Sequence, residues 1–521
     1  MSSSFDQSDL EKLQSRTETA SPGAEPVEDR RENATSTAQL SQGSGWIASL
    51  QRFAGKYGVE QRGIERVPAE ERTDSSMSKM GTIWLSSNLV ISSFALGALS
   101  TPVFHLSFLS TFVTILFTNL GGALPVCFFS TFGCKFGLRQ MVLSRFYFGY
   151  HVTNKMIALF NILACIGWSA VNVLVGAQLF HAINPSVPGW AGIIALAAST
   201  FVVTLFGYRI VHAYERFSWI PSFIVFLVVL GEFARLDKFD PSATPTTVRD
   251  ETGSVLSFAA SIFGFVTGWT SFSADYTVYQ PPARSRASIF AWTFAGLFTP
   301  LMFTELLGAA VATATRHHPE FDKAYRDSGV GGLLVLVLVP RLSVFGEFCV
   351  IVLALSTIAN NCPNIYSVSL TLQVFSTQTQ QVPRFVWVLA GTVAYIAIAI
   401  PAYAHFESAL EAFMVSIAYW LAIYEGICLA EHFFFRRRLS AYNLHDYNNA
   451  SVLPPGWAAL SAFCMGAVGV MLGMANKLYK GPIGNLCGGI HGGDVGFELG
   501  FVFASLSYIV FRRVEKEYFG R

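Results

Sequence analysis

The sequence predicts an all-α integral membrane protein of about twelve transmembrane helices. Three observations carry that prediction. The chain is 52% hydrophobic and only 13% charged, whereas soluble globular chains carry about a quarter charged residues; mean hydropathy is positive. After Met80 the sequence becomes a series of apolar runs, each long enough to cross a bilayer at about twenty residues per helix. Polar residues recur near the middle of four of these runs. Lipid tolerates them there only if they face the bundle interior, a cavity or each other.

Residues 1–80 are polar and rich in Ser, Glu and Arg, and read as a disordered cytoplasmic tail. No basic segment followed by an apolar one marks a signal peptide, so the first span is expected to direct insertion itself. Spans are expected near 82–104, 107–130, 152–180, 189–208, 217–235, 254–279, 288–313, 343–374, 384–402, 407–431, 455–474 and 494–512. Lys135, Arg139 and Arg145 separate the second and third spans. Arg209 and Arg216 separate the fourth and fifth, Arg284 and Arg286 the sixth and seventh, and Arg436, Arg437 and Arg438 the tenth and eleventh. Arg512 and Arg513 follow the last. These loops share one side, which the Lys and Arg excess makes cytoplasmic, together with both termini. The opposite loops are nearly uncharged or of mixed charge, as at Glu320, Asp322, Lys323 and Arg326. Both glycosylation sequons, at Asn33 and Asn449, fall on the cytoplasmic side and are expected to stay unmodified.

Several classes are disfavoured. A net charge of +1 argues against a nucleic-acid partner. The eight cysteines show neither metal nor disulfide spacing. Cys127, Cys165, Cys349 and Cys362 read as small apolar fillers. The glycine-rich stretch at Gly488, Gly489, Gly492 and Gly493 follows no strand and lies in an outward loop, unlike a phosphate-binding loop.

The mid-span polar residues are Ser92 and Ser93, Trp168 with Asn172, Trp269, and Asn360, Asn361 and Asn364. They lie in the first, third, sixth and eighth spans, each within a turn or so of the span centre at 1.5 Å per residue. Helix breakers accompany them. The first span carries Gly97 and Pro102, and the sixth carries Gly264 and Gly268 beside Trp269. In the eighth, Pro363 cannot bond the carbonyl of Ala359. Discontinuous first and sixth helices, with the third and eighth as the other matched pair, are what a five-plus-five inverted repeat produces. That arrangement points to a transporter of a small polar molecule. Plainer readings stand beside it. Trp168 and Asn172 share a helix face and could be packing, Trp269 a core aromatic, and Ser92 and Ser93 could bond their own carbonyls. Three asparagines within five residues are harder to absorb so, since every amide needs partners.

Two tryptophans, several carboxamides and no fixed charge fit a flat, neutral heteroaromatic. Indole faces stack on bases for about 1–3 kcal/mol each. An asparagine amide offers a donor and an acceptor side by side, as it does to adenine. Cytosine and purines present the matching edge.

At these residues the chain resembles the fungal purine–cytosine permeases of the nucleobase–cation symporter superfamily. The matching stretches are FGLRQMVLSRFYFG from Phe136, CIGWSAVNVLVGAQ from Cys165, SADYTVYQPP from Ser273 and IANNCPNIYS from Ile358, with GVEQRGIERV before the first span. The resemblance runs from about Gly58 onward. It implies proton-coupled uptake of cytosine, adenine, guanine or hypoxanthine at the plasma membrane. It also implies a ten-helix core, placed here at 81–435, and two further C-terminal helices with a short tail at 436–521. Carried over, the substrate-binding residues are a first-span serine (Ser93, with Ser92 as the alternative), Trp168, Asn172, Trp269 and Asn364, together with Asn361, which with Pro363 belongs to the same motif and shapes the site. Ser356 and Thr357 resemble the hydroxyl pair that holds sodium in bacterial relatives.

Alternating access needs no covalent chemistry, cofactor or metal, so an enzyme is not expected. A proton carrier should be an ionisable group reachable from both sides. Asp275 and Glu305 are the candidates, and either could instead be a structural partner of a backbone group or an arginine. Glu347 and Glu425 lie nearer span ends. The alternatives are a transporter of vitamin B6 or another small heterocycle, and a nucleobase sensor that moves nothing. A channel is disfavoured because the polar residues cluster at one depth.

Overall fold

The computed structural model describes residues 60, 62–242, 247–476, 479–489 and 492–521, with Lys56 alone before them, and omits the side chains of residues 208 and 405–412. Most of the expected tail, including Asn33, lies outside the described residues. The described chain is helical, and its only bridge pairing joins Ala475 to Lys480.

In chain order the helices are α1 Met77–Asn88, α2 Ile91–Ala98, α3 Phe108–Phe136, α4 Val152–Ile183, α5 Gly189–Leu205, α6 Tyr208–Leu236, α7 Val248–Thr267, α8 Arg286–Ala312, α9 Pro319–Leu342, α10 Val344–Leu372, α11 Arg384–Ala402, α12 Phe406–Ala430, α13 Trp457–Gly473 and α14 Gly496–Phe519. Among the described residues, eight helices are long and apolar enough to cross a membrane, nine with the bent pair α1–α2 taken as one. Every expected span coincides with a helix. Three of them fall short of a full apolar span: α5 and α13 are 17 residues each, and α14 carries Arg512, Arg513, Glu515 and Lys516 in its second half.

The break in the first span is not where Gly97 and Pro102 pointed. It falls at Leu89–Val90, where the chain bends by 50°. No glycine is needed, because neighbouring side chains take over the freed backbone groups. The Ile91 N–H donates to Ser356 Oγ at 3.0 Å, and the Asn88 carbonyl accepts from Ser93 Oγ at 2.7 Å. Gly97 does something else. A Cβ there would meet the Glu305 carbonyl oxygen at 1.9 Å, and one at Gly308 would meet the Phe94 oxygen at 2.0 Å. These two glycines let α2 and α8 touch backbone to backbone. The sixth span breaks as expected: α7 ends at Thr267, and a tighter turn runs from Gly268 to Tyr276. Residues 319–342, expected as a loop, form α9, with Pro319 at its N-terminus and a kink at Ser328 and Gly329. Its apolar stretch, Val330 to Val339, is too short to read as a span from sequence.

α4 and α10 pack along their lengths, α8 lies against α1, α2 and α3, and α7 runs between α3 and α12. The α13–α14 hairpin rests on α12. The basic loops meet at one end of the bundle. Lys135 Nζ donates to the Pro282 and Arg284 carbonyls, both at 2.7 Å, Arg145 reaches Asn448, and Arg436 reaches the Phe146 carbonyl. At the same end, Arg72 is buried and donates to the Val67 and Phe136 carbonyls. Arg139 and Arg384 flank Glu60 at 3.7 and 3.6 Å, and the Tyr279 and Tyr366 hydroxyls each donate to Glu60 at 3.2 Å.

Candidate substrate-binding site

Where the breaks of the first and sixth spans face α4 and α10, the structure leaves a small cavity of about 10 Å³, roughly the space of one water. Its walls are Trp168, Phe265, Gly268, Trp269, Phe272, Asn360 and Asn364. Each of these residues is buried, so the chamber is shut from solvent. Gly268 packs closely under the indole: a Cβ there would stand 3.2 Å from Trp168 Nε1, so the ring would have to give by a few tenths of an ångström.

The two indoles are held from behind. Trp168 sits edge-on to Phe265 and Phe413, with centroids at 5.0 and 5.4 Å. Trp269 is edge-on to Trp84 at 5.5 Å, and its Nε1 donates to Asn88 Oδ1 at 3.1 Å. Asn88 is anchored in turn by donating to the Trp84 carbonyl at 2.8 Å. Edge-on contacts of this kind fix ring orientation while leaving a face available.

Behind the cavity wall runs a chain of amides. Ser92 Oγ donates to Asn172 Oδ1 at 2.7 Å, Asn172 Nδ2 donates to Asn360 Oδ1 at 2.7 Å, and Asn360 Nδ2 donates to the Ser87 carbonyl at 2.6 Å. The network ties the first-span break to α4 and α10. Asn364 Nδ2 donates back to the Asn360 carbonyl at 3.0 Å, which leaves the Asn364 carbonyl oxygen with no donor among the described residues. Trp168 Nε1 is buried with no acceptor. One neutral N–H donor and one neutral acceptor on cavity-lining residues are therefore left without a partner among the described residues.

Of the residues singled out from sequence, Trp168, Trp269 and Asn364 line the cavity, and Asn172 supports it through Asn360. Ser93 and Asn361 do not line it. Ser93 closes the break in the first span, and Asn361 turns away to donate to Thr200 Oγ1 of α5 at 3.4 Å. Sequence reasoning did not assign Phe265, Phe272, Asn88 or Trp84 to the site. Phe265 and Phe272 stand four and three residues from Trp269, a helical spacing that places neighbours on one face.

The ion-coupling candidates scatter. Asp275 accepts from the Gln140 N–H at 2.7 Å, beside Arg139 in the basic end of the bundle. Glu305 accepts from Asn119 Nδ2 at 2.6 Å between α8 and α3. Ser356 and Thr357 donate to the Leu353 and Ala354 carbonyls, with Ser356 also holding the Ile91 N–H. Among the described residues, no three His, Cys, Asp or Glu side chains gather as a metal site would need.

A broken-helix bundle around one closed, neutral chamber defines a multi-pass membrane transporter. The chain belongs to the family described as permeases for cytosine/purines, uracil, thiamine and allantoin, whose model matches residues 66–493. It is 50% identical over 528 residues to the purine-cytosine permease fcyB of Emericella nidulans, covering 100% of both chains. It is 45% identical to the purine-cytosine permease FCY2 of Saccharomyces cerevisiae, covering 91% of this chain and 90% of that one. Its fold matches Mhp1, a nucleobase-cation-symport-1 family transporter solved in a closed conformation with bromovinylhydantoin bound. The TM-score is 0.66 at 16% identity, covering 88% of this chain and 95% of that one.

Proposed function

We propose that this protein imports cytosine and purine nucleobases together with protons by alternating access, at the plasma membrane, with both termini in the cytoplasm. The observation that carries the reading is the cavity itself. Two indoles and two phenyl rings supply flat apolar walls, and the open polar groups are one indole N–H and one carboxamide oxygen. A neutral planar base with adjacent acceptor and donor atoms suits both. An amino acid would leave its carboxylate and ammonium unpaired in a dry chamber, at several kcal/mol. The purine-cytosine permeases among its relatives support the same substrate class. The meeting of the basic loops at one end supports the orientation.

The deciding experiment is labelled cytosine uptake by cells expressing the protein, competed by adenine, hypoxanthine, uracil, allantoin and pyridoxine. Adenine and hypoxanthine are expected to compete and a protonophore to abolish accumulation. Competition by pyridoxine alone, or accumulation that follows external sodium, would refute the reading.

A further inference from the structure

Among the described residues, Glu215 is the only carboxylate with both oxygens buried and neither accepting a hydrogen bond. It lies in the first part of α6, two residues before the stretch expected as the fifth span, and is fully buried. The Ser86 hydroxyl of α1 lies alongside it as its one neutral hydrogen-bonding neighbour; Ser86 and Ser218 also share a hydrogen bond in which either can donate, so the Ser86 O–H is able to turn to the carboxyl. The titratable groups facing it are Tyr276 from the turn after α7, Cys362 from α10, and Tyr214 of its own helix. No charged group from any helix packed against α6 reaches it. An ionised carboxylate stranded in such a place costs several kcal/mol, so the closed state requires Glu215 to hold a proton. Asp275 and Glu305 differ, because each already accepts a hydrogen bond.

Glu215 also has neighbours that lie toward an open recess and toward the cavity wall. His212, one turn earlier on the same helix face, lines an open recess with Asp74, Lys79, Arg209, Arg216 and Tyr279. In the other direction, Ser86 precedes Ser87, whose carbonyl accepts from Asn360 of the cavity wall. A shift of α1 therefore changes the surroundings of Glu215 and of the substrate together.

We propose that Glu215 is the proton-binding group of the transport cycle, loaded from the recess past His212 and kept loaded while α1 is closed over the cavity. A proton from water adds to a carboxylate oxygen, and the same O–H bond breaks when α1 moves away and lets water in. The assignment rests on the proton-coupled reading above.

The test uses the full chain reconstituted in vesicles, with labelled cytosine and an internal pH dye. An inward proton gradient worth 100 mV sustains about 50-fold accumulation for one proton per substrate. Glu215→Gln is expected to bring the accumulation ratio down to about one and abolish substrate-linked proton flux, while cytosine counterflow persists; Glu215→Asp is expected to keep coupled uptake. Concentrative uptake with proton flux in Glu215→Gln would overturn the assignment and leave the proton-coupled reading intact. A wild-type protein that moves no proton with cytosine would overturn both. If neither variant folds, infrared difference spectra of the wild type decide. Cytosine binding should perturb a protonated-carboxyl band, and the absence of any such band overturns the proposal.

Discussion

Asn361 and Asn364 lie three residues apart on α10 and serve different neighbours. Asn364 closes the cavity with an open carbonyl oxygen, while Asn361 reaches Thr200 on α5. Asn364→Ala should weaken cytosine affinity by about 1–3 kcal/mol, the value of one well-placed polar contact. Asn361→Ala should leave the half-saturating concentration unchanged and instead alter thermal stability in detergent. Uptake kinetics on the two variants, with surface expression matched, check this; equal losses would mean that both amides touch substrate. The sequence revealed that several carboxamides sit at mid-depth but not which of them faces the chamber. Adjacent residues on a helix are rotated by about 100°, and the neighbours that decide which rotation faces inward come from distant parts of the chain.

Breaks and close contacts decide the elements. Glycine in an apolar span signals either an unwound turn or a tight helix crossing, and both follow from its missing Cβ. At Gly268 the first reading held, and at Gly97 the second. The real interruption, at Leu89–Val90, has no local marker because its stability comes from Ser356 and Ser93 binding the released backbone groups. Gly97→Val should push α2 off α8, since the clash is with the Glu305 backbone rather than a movable side chain. Overpacking of this kind costs about 1–3 kcal/mol. A lowered melting temperature in detergent is the expected result. Gly121→Ala is the control, because a Cβ there meets nothing within 4 Å.

Across the whole molecule, the segment before α1 is part of the closed state. Glu60 is shared by Arg139, from the turn between α3 and α4, and Arg384, at the start of α11. Removing a carboxylate from between two buried guanidinium groups costs about 3–5 kcal/mol in comparable pairs. Glu60→Ala should therefore loosen the basic end of the bundle and raise hydrogen exchange across residues 62–79. Lys79→Ala should not, because its pair with Asp74 is partly exposed and worth about 0–1 kcal/mol. Unchanged exchange in Glu60→Ala would show that this end is held shut by packing alone.

By itself the sequence determined the membrane environment, the helical class, the order of the spans and the mid-depth grouping of two indoles with several carboxamides. These follow from composition and periodicity, because lipid penalises any unsatisfied polar group and so makes the exceptions conspicuous. Tertiary structure alone decided the place of the first-span break, the helix at 319–342, the separation of Asn364 from Asn361 and the isolation of Glu215. Each of those depends on partners brought together from opposite ends of the chain, and no local pattern specifies which side chain will be waiting there.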